Sequence, residues 1–242
     1  IQGLTEFLPV SSSGHLVLAK HFLNVHSAGA ELEILLHAAT CLAVMIYFLR
    51  DFTGLLFKKS PSTDFKLSHV LIACCITGSV GFVIKDAVVS LFDKPIAAAL
   101  CLLIMGSVLL LSKRIPEGSG RMTLQTAIMF GCIQIIALLP GISRSGITIV
   151  LLMLAGIDRH IAFRFSFVAS LPLIIAASFF QVLDGMDWQV LTSYVPGFIS
   201  AFAFGWFALA MLEKCIIMNK FHLFGYYCLI FGLLAGSALI IL

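Results

Sequence analysis

The sequence predicts an all-α polytopic membrane protein with six transmembrane helices and two re-entrant pairs of broken helices. The first observation is composition: of the 242 residues, 60% are hydrophobic and 11% are charged, and the mean hydropathy is +1.09. A water-soluble domain of this size does not tolerate such a balance. The second is the length of six apolar runs, and the third is the interruption of two further runs by short polar clusters.

Six uninterrupted apolar stretches each approach the roughly 20 residues that a transmembrane helix requires. We expect all of them to be helices, because an isolated strand leaves backbone groups without partners in lipid. They cover residues 32–50, 67–85, 95–112, 160–183, 194–212 and 223–241. The chain begins on Ile1 within another apolar pattern, so we expect further residues to precede it.

Two more apolar stretches, 1–24 and 122–157, are interrupted near their middles by LPVSSSGH and LPGISRSG. Each is predicted to form two half-helices that enter and leave on one side, the first on the outer face and the second on the inner face. Eleven Lys and Arg side chains then share one side and three the other, which marks the first side as cytoplasmic. A single crossing by 122–157 would give seven on each side. Two full crossings there would preserve the bias, so charge leaves that alternative open.

A weak internal repeat relates the two halves of what is predicted to be a single membrane domain, residues 1–242. An offset of 132 residues aligns Gln2 with Gln134, Ser11 with Ser143, Ser13 with Ser145, and Gly14 with Gly146. Each half, 1–112 and 122–242, would hold one broken pair followed by three spans, so the halves are predicted to be inverted relative to each other. The broken helices would then meet near the membrane midplane.

Arg144 lies inside an apolar run, where a charged side chain costs at least about 2.5 kcal/mol and needs a partner or a wet cavity. Pro140 and Gly141 break the helix before it, and Ser143 is placed to cap the next one. Free N–H groups at a helix start and a guanidinium both bind anions. The segment therefore predicts a phosphate site, with pairing of Arg144 to a buried carboxylate as the structural alternative.

The polar cluster of the first half carries complementary chemistry. Gln2 and Glu6 are four residues apart and share a helix face, so they can present two oxygens to a divalent cation or a proton to a leaving group. Ser12 and His15 have the spacing of a hydroxyl nucleophile beside its base. His37, in the first full span, has two interpretations: a hydrogen-bonded packing histidine, which is favoured, or a residue that faces the cavity.

The two clusters, QGLTEFLPVSSSGH and PGISRSG, resemble the signature regions of the undecaprenyl pyrophosphate phosphatase family of bacterial inner membranes, the bacitracin-resistance type. Gln2 and Glu6 match its (E/Q)xxxE element, the serines before His15 match PVSS(S/T)GH, and Pro140 to Gly146 match PGxSRSG. The resemblance implies hydrolysis of a C55 isoprenyl diphosphate to the monophosphate, which recycles the lipid carrier of cell-wall precursors. It also implies a divalent cation, Mg²⁺ or Ca²⁺, and an active site open to the periplasmic face.

These observations combine into one predicted site, in which Ser12 attacks the terminal phosphorus and His15 handles the proton. Attack by His15 itself, or by a water that it activates, is the alternative. The predicted catalytic residues are Glu6, Ser12, His15 and Arg144; the predicted phosphate ligands are Ser11, Ser13, Ser143, Arg144, Ser145 and Gly146; the predicted cation ligands are Glu6 and Gln2.

Other functions and partners follow from the same pattern. Inverted repeats with broken helices are also a transporter design, so a polyprenyl-phosphate flippase or secondary transporter is the rival hypothesis. Membrane lipids surround the chain, and nucleic acid is not expected because the basic residues fall between apolar runs. Gly225, Gly232 and Gly236 permit close helix packing, within one chain or in a homodimer.

Overall fold

The computed structural model describes residues 1–24, 30–57, 64–183 and 192–241, and the regular secondary structure in these ranges is helical, with no β-strand. The predicted all-α class is therefore confirmed. The α-helices within the described residues are α1 (Gln2–Phe7), α2 (Ser12–Phe22), α3 (Ala30–Tyr47), α4 (Leu49–Phe57), α5 (Leu67–Phe92), α6 (Pro95–Leu111), α7 (Leu124–Ile136), α8 (Arg144–Leu154), α9 (Arg159–Leu183), α10 (Val195–Ile217) and α11 (Leu223–Ile241).

Five of the described helices, α5, α6, α9, α10 and α11, are long and apolar enough to cross a membrane, and they lie where spans are predicted. Large apolar side chains such as Phe82, Ile104 and Leu234 are exposed on their outer faces. Apolar side chains at such positions contact lipid rather than water. The chain is therefore a polytopic membrane protein.

The first predicted span, 32–50, differs from the other five. It coincides with α3, but the chain then bends by 69° into α4, so this segment is a bent pair of helices rather than one straight helix. Asp51 on α4 pairs with Arg164 on α9, and this ion pair holds α4 against the start of α9. A short helix that carries charges beside exposed apolar side chains is typical of the membrane interface.

Both interrupted stretches are broken at the predicted places. α1, α2, α7 and α8 contain 6, 11, 13 and 11 residues, and at about 1.5 Å per residue the longest spans only about 20 Å. The hydrocarbon core of a bilayer is about 30 Å thick, so none of the four can cross it alone. Two full crossings by 122–157 are therefore excluded, while the membrane face on which each pair enters stays a prediction.

The packing of the helices follows the 132-residue offset. α1 packs against α10 and α7 packs against α5, while α3 contacts α10 and α9 contacts α5. In the sequence alignment with this offset, α1 corresponds to α7, α3 to α9, and α5 to α10. Each of these helix contacts therefore has a counterpart in the other half. The inversion of 1–112 relative to 122–242 stays a prediction.

The glycines of the last span are used for packing inside the chain. A Cβ atom added to Gly225 would lie 2.7 Å from the carbonyl oxygen of Gly106, and one added to Gly232 would lie 3.2 Å from that of Ala99. These glycines let α11 approach the backbone of α6 closely. The homodimer stays a prediction, and these two positions do not supply its interface.

Candidate active site

The first helix break joins α1 to α2 through a short segment that contains Pro9. Ser11 adopts a left-handed backbone, with φ of 64°, which is rare for a residue other than glycine. Its hydroxyl accepts a hydrogen bond from the N–H of Gly14 at 3.2 Å and so caps α2. The cap places Ser12 and Ser13 at the beginning of this half-helix.

The second break, between α7 and α8, is built in the same way. Gly141 has φ of 98°, and an added Cβ would lie 2.4 Å from the carbonyl oxygen of Ala98, so only glycine fits. Ser143 caps α8 by accepting a hydrogen bond from the N–H of Gly146 at 3.2 Å. Arg144 is therefore the first residue of α8.

Hydrogen bonds connect the two breaks directly. The N–H of Gly141 donates to the Ser11 hydroxyl at 3.2 Å, and the Ser145 hydroxyl donates to the carbonyl of Phe7 at 2.9 Å. The chain also packs tightly here, because a Cβ added to Gly14 would lie 2.9 Å from the Cα of Gly141. The prediction that the two polar clusters meet is confirmed.

Glu6 is the centre of the polar network at this junction. Its Oε2 atom accepts hydrogen bonds from the Gln2 amide at 2.8 Å and from the Ser12 hydroxyl at 2.7 Å. Its Oε1 atom lies 3.2 Å from Nη2 of Arg144. The carboxylate side chain is 8% exposed and the guanidinium 21% exposed, so this is a largely buried ion pair between the two halves.

The ion pair bears on both interpretations of Arg144. The guanidinium does pair with a buried carboxylate, as the structural alternative requires. It also lines a cavity, and among the described residues Glu6 is the acceptor for one of its several donor groups. Arg144 is therefore positioned to bind an anion in addition to Glu6.

The cavity has a volume of about 700 Å³ and lies beside both helix breaks. The polar residues that line it include Gln2, Glu6, Ser11, Ser12, Ser13, Ser143 and Arg144. The apolar residues that line it include Leu16, Val17, Leu23, Leu36, Leu173 and Ile174. Such a cavity suits a ligand with a charged head and an apolar tail.

Residues 1–234 match the family model for the bacitracin resistance protein BacA. The chain belongs to this family. Its relatives include undecaprenyl-diphosphatase 1 of Shouchella clausii, which is 33% identical over 97% of this chain and 91% of the relative. The undecaprenyl-diphosphatases of Halothermothrix orenii and Desulforudis audaxviator are 35% and 36% identical, over 97% and 96% of this chain and 93% and 92% of the relatives. The resemblance seen in the two motifs is thus confirmed over nearly the whole chain.

In this member of the BacA family, His15 does not bond to Ser12. Its Nδ1 atom lies 2.8 Å from the carbonyl oxygen of Ser11, and its Nε2 atom lies 2.8 Å from the hydroxyl of Tyr227 on α11. The ring also stacks on Phe231 with centroids 4.4 Å apart, and His15 is absent from the cavity wall. The predicted Ser12–His15 pair is therefore wrong. His15 instead ties the left-handed Ser11 to α11.

Two of the predicted phosphate ligands also lie off the cavity wall. The hydroxyl of Ser145 is used by the carbonyl of Phe7, and the N–H of Gly146 is used by the Ser143 cap. The first bond joins the two breaks and the second caps α8, so neither group has a donor left for phosphate. Ser11, Ser13 and Ser143 do line the cavity, although the Ser11 hydroxyl already accepts from two N–H groups.

Gln2 and Glu6 fit a divalent cation only as a partial ligand set. The Gln2 amide donates its N–H to Glu6, and its Oε1 atom is buried and without a hydrogen-bond partner among the described residues. Mg²⁺ sites often use one or two carboxylates and complete their shell with phosphate oxygens. Within the described ranges no group of three or more His, Cys, Asp and Glu side chains could hold a metal. A cation here would need most of its ligands from a substrate.

Sequence reasoning missed Thr77 and gave Gln134 no role beyond the repeat, but both line the cavity. The Gln134 amide donates to the Thr77 hydroxyl at 3.0 Å, and that hydroxyl lies 2.9 Å from the carbonyl of Gly131, to which it donates. The offset that pairs Gln134 with Gln2 is the one sequence signal that pointed to it. Thr77 had no such signal, because a single threonine within an apolar span does not stand out in the sequence as a functional residue.

Proposed function

We propose that this chain is an integral membrane undecaprenyl-diphosphatase, which hydrolyses undecaprenyl diphosphate to undecaprenyl phosphate and inorganic phosphate. The observation that carries the proposal is the 2.7 Å hydrogen bond from Ser12 to Glu6, beside Arg144, at a cavity that apolar side chains also line. The names of the relatives support the same reaction. Through it, the protein recycles the lipid carrier for cell-wall synthesis.

Glu6 takes the role in proton transfer that the sequence suggested for His15. Its carboxylate accepts the Ser12 proton as the serine oxygen attacks the terminal phosphorus, and the bond from that phosphorus to the bridging oxygen breaks. Glu6 passes this proton to undecaprenyl phosphate as it leaves, so a phosphoserine and an ionised Glu6 remain. A water then attacks the same phosphorus, its proton passes through Glu6, and the Ser12 hydroxyl is restored.

Arg144 and the helix start at Ser12 bind the diphosphate. The guanidinium offsets the negative charge that builds on the phosphoryl oxygens in the transition state. Ser13 and Ser143 line the same part of the cavity and offer hydroxyl groups. A divalent cation held by Glu6, Gln2 and the phosphates would supply further charge neutralisation when bound.

A direct attack by water is the remaining alternative to the serine route. Glu6 would serve as the base in that case too, so the two routes differ only in whether a phosphoenzyme forms. Attack by His15 is not adopted, because both of its ring nitrogens are engaged away from the cavity. The transporter hypothesis is not adopted either, because a carrier does not need a hydroxyl bonded to a carboxylate opposite an arginine.

The charge bias of the loops and the bacterial relatives support the location that we propose. We place the protein in the bacterial inner membrane with the cavity open to the periplasmic side. The isoprenoid tail contacts the apolar residues that line the cavity, and the diphosphate lies at the junction of the two helix breaks. A second copy of the chain is an additional partner in this proposal.

The test is phosphate release from undecaprenyl diphosphate by detergent-purified protein without a membrane gradient. We expect turnover by the native chain and none by Ser12→Ala, with Ser107→Ala as the matched control because Ser107 is exposed on α6. Rapid acid quenching should trap a phosphate on Ser12. No release by the native chain would refute the diphosphatase, and release without any phosphoenzyme would replace the serine route with direct attack by water.

A further inference from the structure

His37 lines the same cavity as Glu6, Ser12 and Arg144, although none of the proposed catalytic steps uses it. The sequence favoured a hydrogen-bonded packing histidine, with a cavity-facing side chain as the alternative. The carbonyl of His37 accepts from Thr40, but this is a backbone contact and leaves the ring unused. The cavity-facing interpretation is therefore the one that the structure supports.

The hydrogen-bonding state of the His37 ring is unusual for a packing residue. Its Nδ1 atom is buried and has no hydrogen-bond partner among the described residues. Buried polar atoms in folded proteins are almost always paired, since an unpaired one costs about 1–3 kcal/mol. With Nδ1 enclosed, Nε2 is the ring nitrogen that can reach the cavity, where a ligand can bond to it.

The charged side chains that line the cavity do not by themselves neutralise a bound diphosphate, so a further hydrogen-bond donor would be needed. The charged side chains that line it among the described residues are Arg144 and Lys20, which are cationic, and Glu6 and Asp93, which are anionic. Their formal charges cancel, whereas a diphosphate carries more than one negative charge near neutral pH. Arg144 is moreover partly neutralised by Glu6. The anion therefore needs donors beyond these side chains.

The position of His37 is held by the packing of α3. This helix contacts α1, α9 and α10, and at its far end the Tyr47 hydroxyl donates to Glu213 on α10. Cys41, one turn beyond His37, is buried. A donor that is held in place before the ligand arrives loses little entropy on binding.

We propose that His37 is a substrate-contacting residue whose Nε2–H donates a hydrogen bond to an oxygen of the diphosphate. The inference rests on the proposed function, because it assigns a second binding group to the same substrate. It places one donor on α3, in addition to those on the two broken helices. The contact is made with the bound substrate as well as in the transition state.

The first experiment compares two substitutions of His37 in purified protein. His37→Leu removes the donor and should raise KM for undecaprenyl diphosphate by about 10- to 100-fold, the range expected for a hydrogen bond to a charged group, with little change in kcat. His37→Gln keeps an N–H donor and should recover most of this loss. His21→Gln is the matched control, because His21 is exposed at the end of α2 and lies off the cavity wall.

The second experiment measures binding without turnover. In a Ser12→Ala background, undecaprenyl diphosphate should bind about 10- to 100-fold more weakly when His37→Leu is added. This readout stands even if the native chain releases no phosphate, so failure of the diphosphatase and failure of the His37 contact are distinguishable. Affinity and KM within twofold of the parent would overturn the contact. A Gln variant as impaired as the Leu variant would overturn the donor role.

Discussion

The two helix breaks share a scaffold but differ in their reactive side chains. In each, a serine caps the second half-helix by accepting from an N–H three residues later at 3.2 Å, and the same serine lies 3.2 Å from another serine two residues on. The paired caps are Ser11 with Gly14 and Ser143 with Gly146. The two breaks therefore share the same serine-capped helix start.

The difference lies at the positions that the 132-residue offset places opposite each other. Glu6 corresponds to Leu138, and Ser12 corresponds to Arg144. The first break thus supplies a carboxylate and a hydroxyl, while the second supplies a guanidinium. Neither half therefore holds a complete site, and the 3.2 Å contact between Glu6 and Arg144 joins the two contributions.

The largest effect is expected at Glu6, the base of the first break. Glu6→Gln should lower kcat by about 10²- to 10⁴-fold, because Ser12 loses the group that accepts its proton and Arg144 loses its counter-charge. Phosphate release by protein that remains monodisperse in detergent is the measurement. Glu117→Gln makes the same chemical change at an exposed site and should be silent. An active Glu6→Gln enzyme would show that the first break does not carry the proton transfer.

The next effect is expected at Arg144, the cationic member of the second break. Arg144→Ala should lower kcat by about 10²- to 10³-fold, since the charge that builds on the phosphoryl group loses its main stabilising partner. Arg114→Ala is the control, because Arg114 is exposed in the loop after α6. Near-native turnover by Arg144→Ala would show that the second break supports the fold but does not stabilise the transition state.

Close packing at the two breaks should respond unequally to an added methyl group. A Cβ on Gly14 would lie 2.9 Å from the Cα of Gly141, which cannot move easily, whereas one on Gly146 would first meet the flexible end of Met105 at 2.8 Å. Gly14→Ala should cost about 1–3 kcal/mol of unfolding free energy, and Gly146→Ala less. Unfolding in mixed detergent micelles measures both. Equal losses would contradict this ranking.

The smallest effects are expected for the two caps. Ser11→Ala leaves the N–H groups of Gly14 and Gly141 without their acceptor, whereas Ser143→Ala leaves that of Gly146. Each cap is worth about 0.5–2 kcal/mol, so both variants should be destabilised, Ser11→Ala more than Ser143→Ala. The same unfolding measurement applies. A Ser143→Ala variant that is the less stable of the two would show that the first break does not rely on its extra hydrogen bond.

Several features of the site could be predicted because they depend on short-range interactions. Pro140 and Gly141 mark a helix break in any surroundings, and Ser143 caps the helix that follows through a bond to a residue three positions away. The membrane location of Arg144 also required a partner, and the first cluster offered Glu6. The meeting of these two side chains could thus be expected from the cost of a lone charge in lipid.

Other features could not be predicted, and His15 is the clearest case. Its spacing from Ser12 indicates a shared helix face, but the rotamer was decided by Ser11 beside it and by Tyr227, 212 residues away in sequence. The pairing of Asp51 with Arg164 of α9, just after the bend that follows α3, is likewise a contact between residues far apart in sequence. Contacts of this kind arise only when distant helices pack.

The sequence alone determined the membrane class, the positions of the spans, the two helix breaks and the residue types near them. These follow from hydropathy, backbone restrictions and hydrogen bonds within a few residues, which act wherever the segment lies. The tertiary structure decided that Glu6 rather than His15 bonds to Ser12, that Ser145 and Gly146 serve the scaffold, and that His37 faces the cavity. Those outcomes depend on which side chains the packed helices bring within about 3 Å of one another, and local sequence does not encode that distance.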